Sequence, residues 1–584
     1  MKIIVTILLS AMIILACSPT KTGENVSAEY SPNKPQTEQP AEHPDYTSKV
    51  PQFTFSSTLE EQEEELESNP LMLRFREDRK RWSSDSHVPL YHFSSPDNRL
   101  NDPNGLSYWQ GRWHLFYQAY PEEDPRQHWG HAVSDDLIHW RDLPFAIYPS
   151  PEYQCFSGAA LVEDDRVIAM YHGTRLGNMV ATSTDPLLLN WEKVTDGAPI
   201  SMYPGADGKP LPYRVFDPCI WKKGGVYYAL SGGQLSRGPG GKYARANWLF
   251  RSNDLAHWEY LHPFIEDDQY SLVGDDGACP YFWPIGNKHI YLQFSHMSGG
   301  KYLIGDYEQE RDKFVVTSGG DFNFGPYGPS GVHAPSAAPE PAQHAGAGPS
   351  GASGDAVIVI FNMNPGRSVE NYFDGMLMTL PRRLTLLPEG SPNTIGQEPA
   401  GDYTSLRYGH ERLGPMTLPA NEEILLDGVH GKAMEILAEI DPKESSVIEL
   451  DVFRSPDRRE VTRILFYKNS GYRNRAVSRE SEHFGKRNSA ISIESSSSSV
   501  LPDVRLRATE TANVFIDEGE NLKLHVFIDK SVVEVFVNGR QCLAQRVYPG
   551  LANSDGVSLR AQGTDATLVS LDAWQMKNIY EDEH

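Results

Sequence analysis

GRWHLFYQ, residues 111–118, is a strand-like run of aromatic and aliphatic residues that opens on a glycine. Runs of this kind, bounded by Gly, Pro, Asn and Asp, read as short β-strands. The same texture returns as DRVIAMYHG (165–173), GVYYALSGG (225–233), KHIYLQFSH (288–296) and DAVIVIFNM (355–363). Measured from Trp113 through Ile168, Tyr227 and Ile290 to Ile358, the spacings are 55, 59, 63 and 68 residues. A second echo runs beside it: SDDLIHW (134–140), STDPLLLNW (183–191) and SNDLAHW (252–258). Repeated strands on this scale, with few helices, are the pattern of a β-propeller, and five units imply five blades. An irregular all-β chain with chance similarity is the alternative.

Working outward, the propeller is expected over 86–400, closing near YFDGMLMTLPRRLTLLPEG (372–390). Residues 401–584 form a second strand-rich region. In it, LKLHVFIDKSVVEVFVNGRQCLAQRVYP (522–549) gives alternating strands around Asp-Lys and an Asn-Gly turn, as in a β-sandwich. The fold class is therefore all-β, a five-bladed propeller followed by a C-terminal sandwich. A Gly/Pro/Ala/Ser-rich stretch interrupts the repeats, and its part from Pro339 to Gly354 reads as a surface insertion, with a binding loop as the alternative. Residues 18–85 are rich in Pro, Glu, Ser and Thr and read as a disordered tether, with a short helix at TLEEQEEELE (58–67).

The chain has 584 residues and a formal net charge of −25, which argues against a nucleic-acid partner, since phosphates would be repelled. Its 28 Tyr, 23 Phe and 11 Trp are plentiful. The first 17 residues carry Lys2, an apolar run and then Cys17. That run is too short for a membrane span and reads as a signal peptide. Leu15-Ala16-Cys17 resembles the bacterial lipoprotein box, which implies lipidation of Cys17. The mature chain would then be anchored in the cell envelope, with Ser18 compatible with the outer membrane. An ordinary signal peptide is the alternative. Cys155, Cys219, Cys279 and Cys542 remain, without a Cys-x-x-Cys, so either disulfides or buried free thiols are open and a zinc cluster is not expected.

In a propeller, the starts of the innermost strands share one central cavity. Carboxylates distant in sequence can meet there, as glycoside hydrolysis requires: one attacks or stabilises the anomeric carbon and another protonates the leaving oxygen. Three candidates stand a little before a blade's apolar strand: Asp102 in NRLNDPNGL, Asp217 in YRVFDPCIW, and the pair Asp275-Asp276 in GDDGACPYFWP.

NDPNG followed by GRWHLFYQAYPEEDPRQHWGHAVSDDLIHWRDLP resembles family 32 glycoside hydrolases, the invertase, levanase and inulinase group. So do CFSGAALV, DGMLMTLPRRLTL and HVFIDKSVVEVFVNGRQCLAQRVYP. The resemblance covers residues 88–576. It implies retaining cleavage of β-fructofuranosides such as sucrose, levan or inulin, with neither metal nor organic cofactor. Asp102 matches the family's nucleophile and Asp217 its transition-state stabiliser. Asn101, Gln118, Trp129, Phe156 and Ser157 match sugar-contacting positions, with core packing as the alternative for Trp129 and Phe156.

Two positions depart from the family pattern. Its Arg-Asp-Pro is here Phe216-Asp217-Pro218, and Arg214, two residues before Phe216, is a candidate replacement by strand parity. Its Glu-Cys-Pro is here Ala278-Cys279-Pro280, and alanine carries no proton. Asp276, again two residues upstream, is the expected acid/base, with Asp275 admitted if the Gly277 region bulges. Another group such as His296, a different furanoside, or a lipoprotein that binds fructan without cleaving it are the remaining readings.

Overall fold

The computed structural model describes residues 45–205, 207–235, 238–324, 331–341, 356–370, 374–475, 477–505 and 507–580. The leader, Cys17 and most of the 339–354 insertion lie outside these residues.

Blade 1 is built from Leu100–Trp109, Arg112–Ala119, His128–Ser134 and Arg141–Ile147, paired in that order. The other blades open on Cys155–Val162, Pro218–Lys223, Ala278–Ile285 and Val332–Pro339. These five opening strands touch in a closed ring, blade 5 meeting blade 1. The runs that set the repeat are the second strands: Arg112–Ala119, Val167–Gly173, Val226–Ser231, Lys288–Ser295 and Val357–Met363. They recur because both faces of a second strand are covered by neighbouring blades, which favours unbroken apolar and aromatic residues.

The second echo is a turn that recurs in blades 1, 2 and 3. Asp136 Oδ1 accepts the amides of Ile138 and His139, and Asp254 Oδ1 those of Ala256 and His257. In blade 2, Asp185 accepts those of Leu189 and Asn190. Leu137, Leu188 and Leu255 then adopt φ of 72°, 52° and 68°. The Trp191 and Trp258 indoles donate back to Leu188 O and Leu255 O.

Four of the five opening strands are irregular where they begin, that of blade 3 being regular. Their pairing slips between Leu100 and Pro103, Cys155 and Gly158, Ala278 and Tyr281, and Val332 and Pro335. Each slip is a bulge that turns its side chains off the regular pleat.

The C-terminal region is a sandwich of two antiparallel sheets, one containing Ala433–Asp441, Leu522–Asp529 and Ala566–Met576, the other Val447–Arg454, Thr462–Tyr467 and Gly556–Gln562. Ile436, Val526 and Val535 pack into its core with Leu450, Ile464 and Ile491. The hairpins at Asp529-Lys530 and Asn538-Gly539 have Lys530, Asn538 and Gly539 at positive φ.

The segment preceding blade 1 joins the propeller to the sandwich. Asp529 accepts hydrogen bonds from the amides of Leu90, Tyr91 and His92, and from His92 Nδ1 at 2.9 Å. Glu534 meets His92 Nε2 at 3.2 Å and Arg382 at 3.0 Å, all of these side chains fully buried. Burial opposes the His92 cation, but both carboxylates outweigh it and lift its pKa to about 9.

The expected disordered tether is corrected from Asp45 onward. Helix Leu59–Ser68 starts on Thr58, whose hydroxyl meets the Glu61 carboxylate, and Asn69 caps helix Pro70–Trp82. Leu66, Leu71, Met72 and Phe75 are buried, and Phe75 packs edge-on against Phe145 of blade 1. Gln62 donates to Asp185, Phe55 pairs with Asn190, and Arg79 ion-pairs with Asp142. Glutamates dominate this stretch and dilute its apolar residues, but Leu66, Leu71, Met72 and Phe75 fall on the face that covers the propeller, while Leu73 faces outward. The four described cysteines are free and buried.

Candidate active site

Four bulges and one regular strand deliver the site. The blade 1 bulge holds Asn101 and Asp102, that of blade 2 Phe156 and Ser157, that of blade 4 Cys279, and that of blade 5 His333. Asp217 immediately precedes the regular opening strand of blade 3.

Asp102 Oδ2 accepts from Ser157 Oγ at 2.6 Å, Gln118 Nε2 at 3.4 Å and Cys279 Sγ at 3.5 Å. Asp217 Oδ2 accepts from the Cys279 amide at 3.0 Å and its Sγ at 3.6 Å. One thiol thus spans both carboxylates, from a residue with φ of 48°. The second oxygens, Asp102 Oδ1 and Asp217 Oδ1, are buried without a hydrogen-bond partner in the protein. His333 Nε2 stands 3.5 Å from Asp102 Oδ1. Paired, buried carboxylates with an open oxygen each are arranged to meet a polar ligand.

Electrostatics follow from burial. Desolvation raises the Asp102 pKa, while the Ser157 hydrogen bond, the His296 charge and the Cys279 thiol pull it down. Desolvation also drives Asp217 up to about 7, with Asp102 and Asp276 adding to the rise and the Cys279 amide and His296 opposing it. Burial, with both carboxylates, keeps the Cys279 thiol protonated. Burial holds His333 neutral.

Around Asp102 the network is dense. Gln118 Nε2 donates to Ser157 Oγ at 2.8 Å, and Gln118 Oε1 accepts from Asn101, Gln127 and Tyr120. Asn362 donates to Asn101 Oδ1 at 3.1 Å. Trp129 has no exposed surface; its indole donates to Phe156 O at 2.9 Å, so its contribution is to position the Phe156-Ser157 backbone. Phe156 is half-buried beside His172. Arg214 is half-buried next to Gly233, whose amide donates to Asp276 O, and so it abuts the segment carrying the third acidic position.

The neighbouring aspartates part company. Asp275 is fully buried and accepts from Ser298 Oγ at 2.6 Å and the Leu272 amide at 2.7 Å, so it pins its own loop. Asp276 turns to His296, accepting from Nδ1 at 2.7 Å and from the backbone amide at 3.2 Å. His296 follows the second strand of blade 4, with 58% of its side-chain surface open. Desolvation works against its cation, but the Asp276 hydrogen bond and the charges of Asp276, Asp102 and Asp217 raise its pKa to about 9. Its ring stands edge-on to His333, centroids 6.3 Å apart.

Tyr120, Gln127, His333 and Asn362 were not picked out from sequence. A signal for His333 exists: His-Ala-Pro (333–335) opens blade 5 in the same register as Asn-Asp-Pro (101–103) opens blade 1. A cleft of about 1980 Å³ lies elsewhere, between blades 4 and 5 and the sandwich, among residues such as Lys288, Thr317, Leu386 and His483. It holds none of Asp102, Asp217 and Asp276, and the chemistry is assigned to the funnel. No group of three or more His, Cys, Asp or Glu among the described residues is arranged around a metal position.

Residues 92–396 match the family model for the glycosyl hydrolases family 32 N-terminal domain, and 403–575 that for the family 32 C-terminal region. The chain belongs to glycosyl hydrolase family 32. It is 24% identical to the sucrose-6-phosphate hydrolase of Bacillus subtilis, over 85% of this chain and 95% of that one. It is 25% identical to the levanase of the same species, over 85% and 71%, and 27% identical to the raffinose invertase of Escherichia coli, over 84% and 95%. The crystal structure of fructan 1-exohydrolase IIa from Cichorium intybus superposes with a TM-score of 0.69 at 22% identity, covering 85% of this chain and 98% of that one.

Proposed function

We propose that the protein hydrolyses β-fructofuranosidic bonds in sucrose or fructans by a retaining double displacement. The observation that carries this is the pair Asp102 and Asp217, brought from two blades to either side of one Cys279 thiol in a chain of this family. Asp102 attacks the anomeric carbon and forms a fructosyl ester, which water then resolves. Asp217 steadies the positive charge that develops on the ring. Asn101, Gln118 and Ser157 hold the nucleophile's orientation through their hydrogen bonds. Asp276 and its partner His296 serve the leaving group.

Sugar release from sucrose, levan, inulin and sucrose 6-phosphate tests the reading, with the anomer of the first-formed fructose read by NMR. Turnover of at least one substrate with retention is expected, and Asp102→Ala should lower kcat/KM by at least about 10⁴-fold. Levan or inulin binding without turnover of any fructoside would instead make the chain a fructan-binding scaffold.

We also propose lipidation of Cys17 and anchoring in the envelope, supported by the Leu-Ala-Cys sequence after the apolar run. Cys17→Ala should move the protein from the membrane to the soluble fraction. An unchanged membrane fraction would refute the anchor.

A further inference from the structure

We infer that His296 is the proton donor to the leaving oxygen, and that Asp276 is the positioning residue that holds its ring. The assignment rests on the fructosidase reading above. Double displacement at Asp102 needs a proton for the departing alkoxide. Position 278, at the start of the blade 4 opening strand, is an alanine with 1% exposure and no proton to give. Asp275 is consumed by Ser298 and the Leu272 amide.

Both oxygens of Asp276 face His296, one toward the ring and one toward the backbone amide. A carboxylate bonded this way is an acceptor, and the proton it would need resides on the imidazole. With Nδ1 engaged, Nε2 is the nitrogen left for substrate. The ring is placed for that role, being open over more than half its surface and edge-on to His333, which touches Asp102. Carboxylate, imidazole and reacting group in series form a constellation that generalises beyond hydroxyl nucleophiles.

The steps balance. As an Asp102 oxygen bonds to C2 of the fructosyl ring, the C2–O bond to the leaving group breaks. The Nε2 proton passes to that oxygen, and a neutral alcohol departs. His296 is then a neutral imidazole. In the second half, Nε2 takes a proton from the water that attacks C2, and the ester bond breaks to return Asp102 as a carboxylate and His296 as a cation. The two states favour each half in turn. Asp102 on blade 1, Asp217 on blade 3 and Asp276 before blade 4 all support the cation in the free enzyme, while His333 on blade 5 is neutral. Once Asp102 is esterified its charge is gone, the His296 pKa falls, and the neutral imidazole needed to take the proton from water is favoured.

The test compares sucrose with 4-nitrophenyl β-fructofuranoside, whose leaving group needs no proton. For His296→Gln, kcat/KM on sucrose should fall by at least about a hundredfold, with the aryl fructoside kept within about tenfold. Asp276→Asn, which retains the ring but removes its anion, should shift the alkaline limb of the sucrose pH–kcat/KM profile to lower pH by one unit or more. This readout also covers the case in which His296→Gln does not fold. Equal loss on both substrates or no loss on either for His296→Gln would overturn the donor assignment. So would a selective loss on sucrose in Asp276→Asn with none in His296→Gln. Wild type that cleaves neither compound, nor levan, inulin or sucrose 6-phosphate, would refute the fructosidase reading itself, and this assignment with it; where a fructan or sucrose 6-phosphate is the one cleaved, it takes the place of sucrose in the comparison.

Discussion

Ala278 deletes a proton donor without deleting the charge around it, and the pH dependence should record that. Asp217 is raised to about 7 and His296 to about 9, so the working form carries an ionised Asp217 and a protonated His296. As pH falls through about 7, Asp217 gains a proton and loses its stabilising charge. As pH rises through about 9, His296 loses the proton it must donate. The kcat/KM profile is therefore expected to be a bell with limbs near 7 and 9, each belonging to the coupled cluster and not to one residue alone. Asp217→Asn should lower kcat by about 10²–10³-fold and move the acid limb to lower pH, where the ionisation of Asp102 alone sets it, read by steady-state rates from pH 5 to 10. Asp102 and Asp217 were legible in sequence because Asp-Pro stands in step with the repeats. The choice between Asp275 and Asp276 was not settled there, because it is made by Ser298 and His296, which lie in the following turn and carry no periodic signal.

At the scale of the strand, the bulges do the placing. Asn101, Asp102, Ser157, Cys279 and His333 all occupy slips in pairing, and alternation along an ideal strand does not give their directions. This is why strand parity could nominate Arg214 and Asp276 without fixing where either points. The second strands, by contrast, were readable from their apolar runs alone. The blade 2 bulge also has a narrow steric allowance. A Cβ on Gly158 would lie 2.1 Å from Met170 O and 2.5 Å from Tyr171 Cα. Both contacts are backbone, so the strand itself must shift. Gly158→Ala is expected to destabilise the protein by about 2–4 kcal/mol and to weaken turnover by displacing Ser157 from Asp102. Thermal melting and kcat on the aryl fructoside check the two effects separately.

For the molecule as a whole, the His92, Arg382, Asp529 and Glu534 cluster ties the propeller to the sandwich. Glu534→Ala would leave the buried Arg382 without its anion and His92 with Asp529 alone, and should cost about 3–5 kcal/mol, measured by denaturant unfolding. The pH dependence has a definite sign. The folded pKa of His92 lies above its ordinary value of 6.5, so its contribution is complete below 6.5 and is lost as pH rises through about 9. That contribution is on the order of 3 kcal/mol, and His92→Asn should flatten the alkaline fall in stability. The two-body architecture was legible from the change in texture around residue 400. The packed segment from Asp45 to Trp82 was not, since its few apolar residues are spread among glutamates and acquire meaning only against blade 1. Ring closure has one more consequence, for timing. Asp102 belongs to the first blade, and the imidazole at its open oxygen belongs to the fifth. A ribosome must deliver His333 and the strand carrying it before the last wall of the pocket exists. Until that strand docks the chain has no complete active site, and the protein is inert while its first four blades are being made.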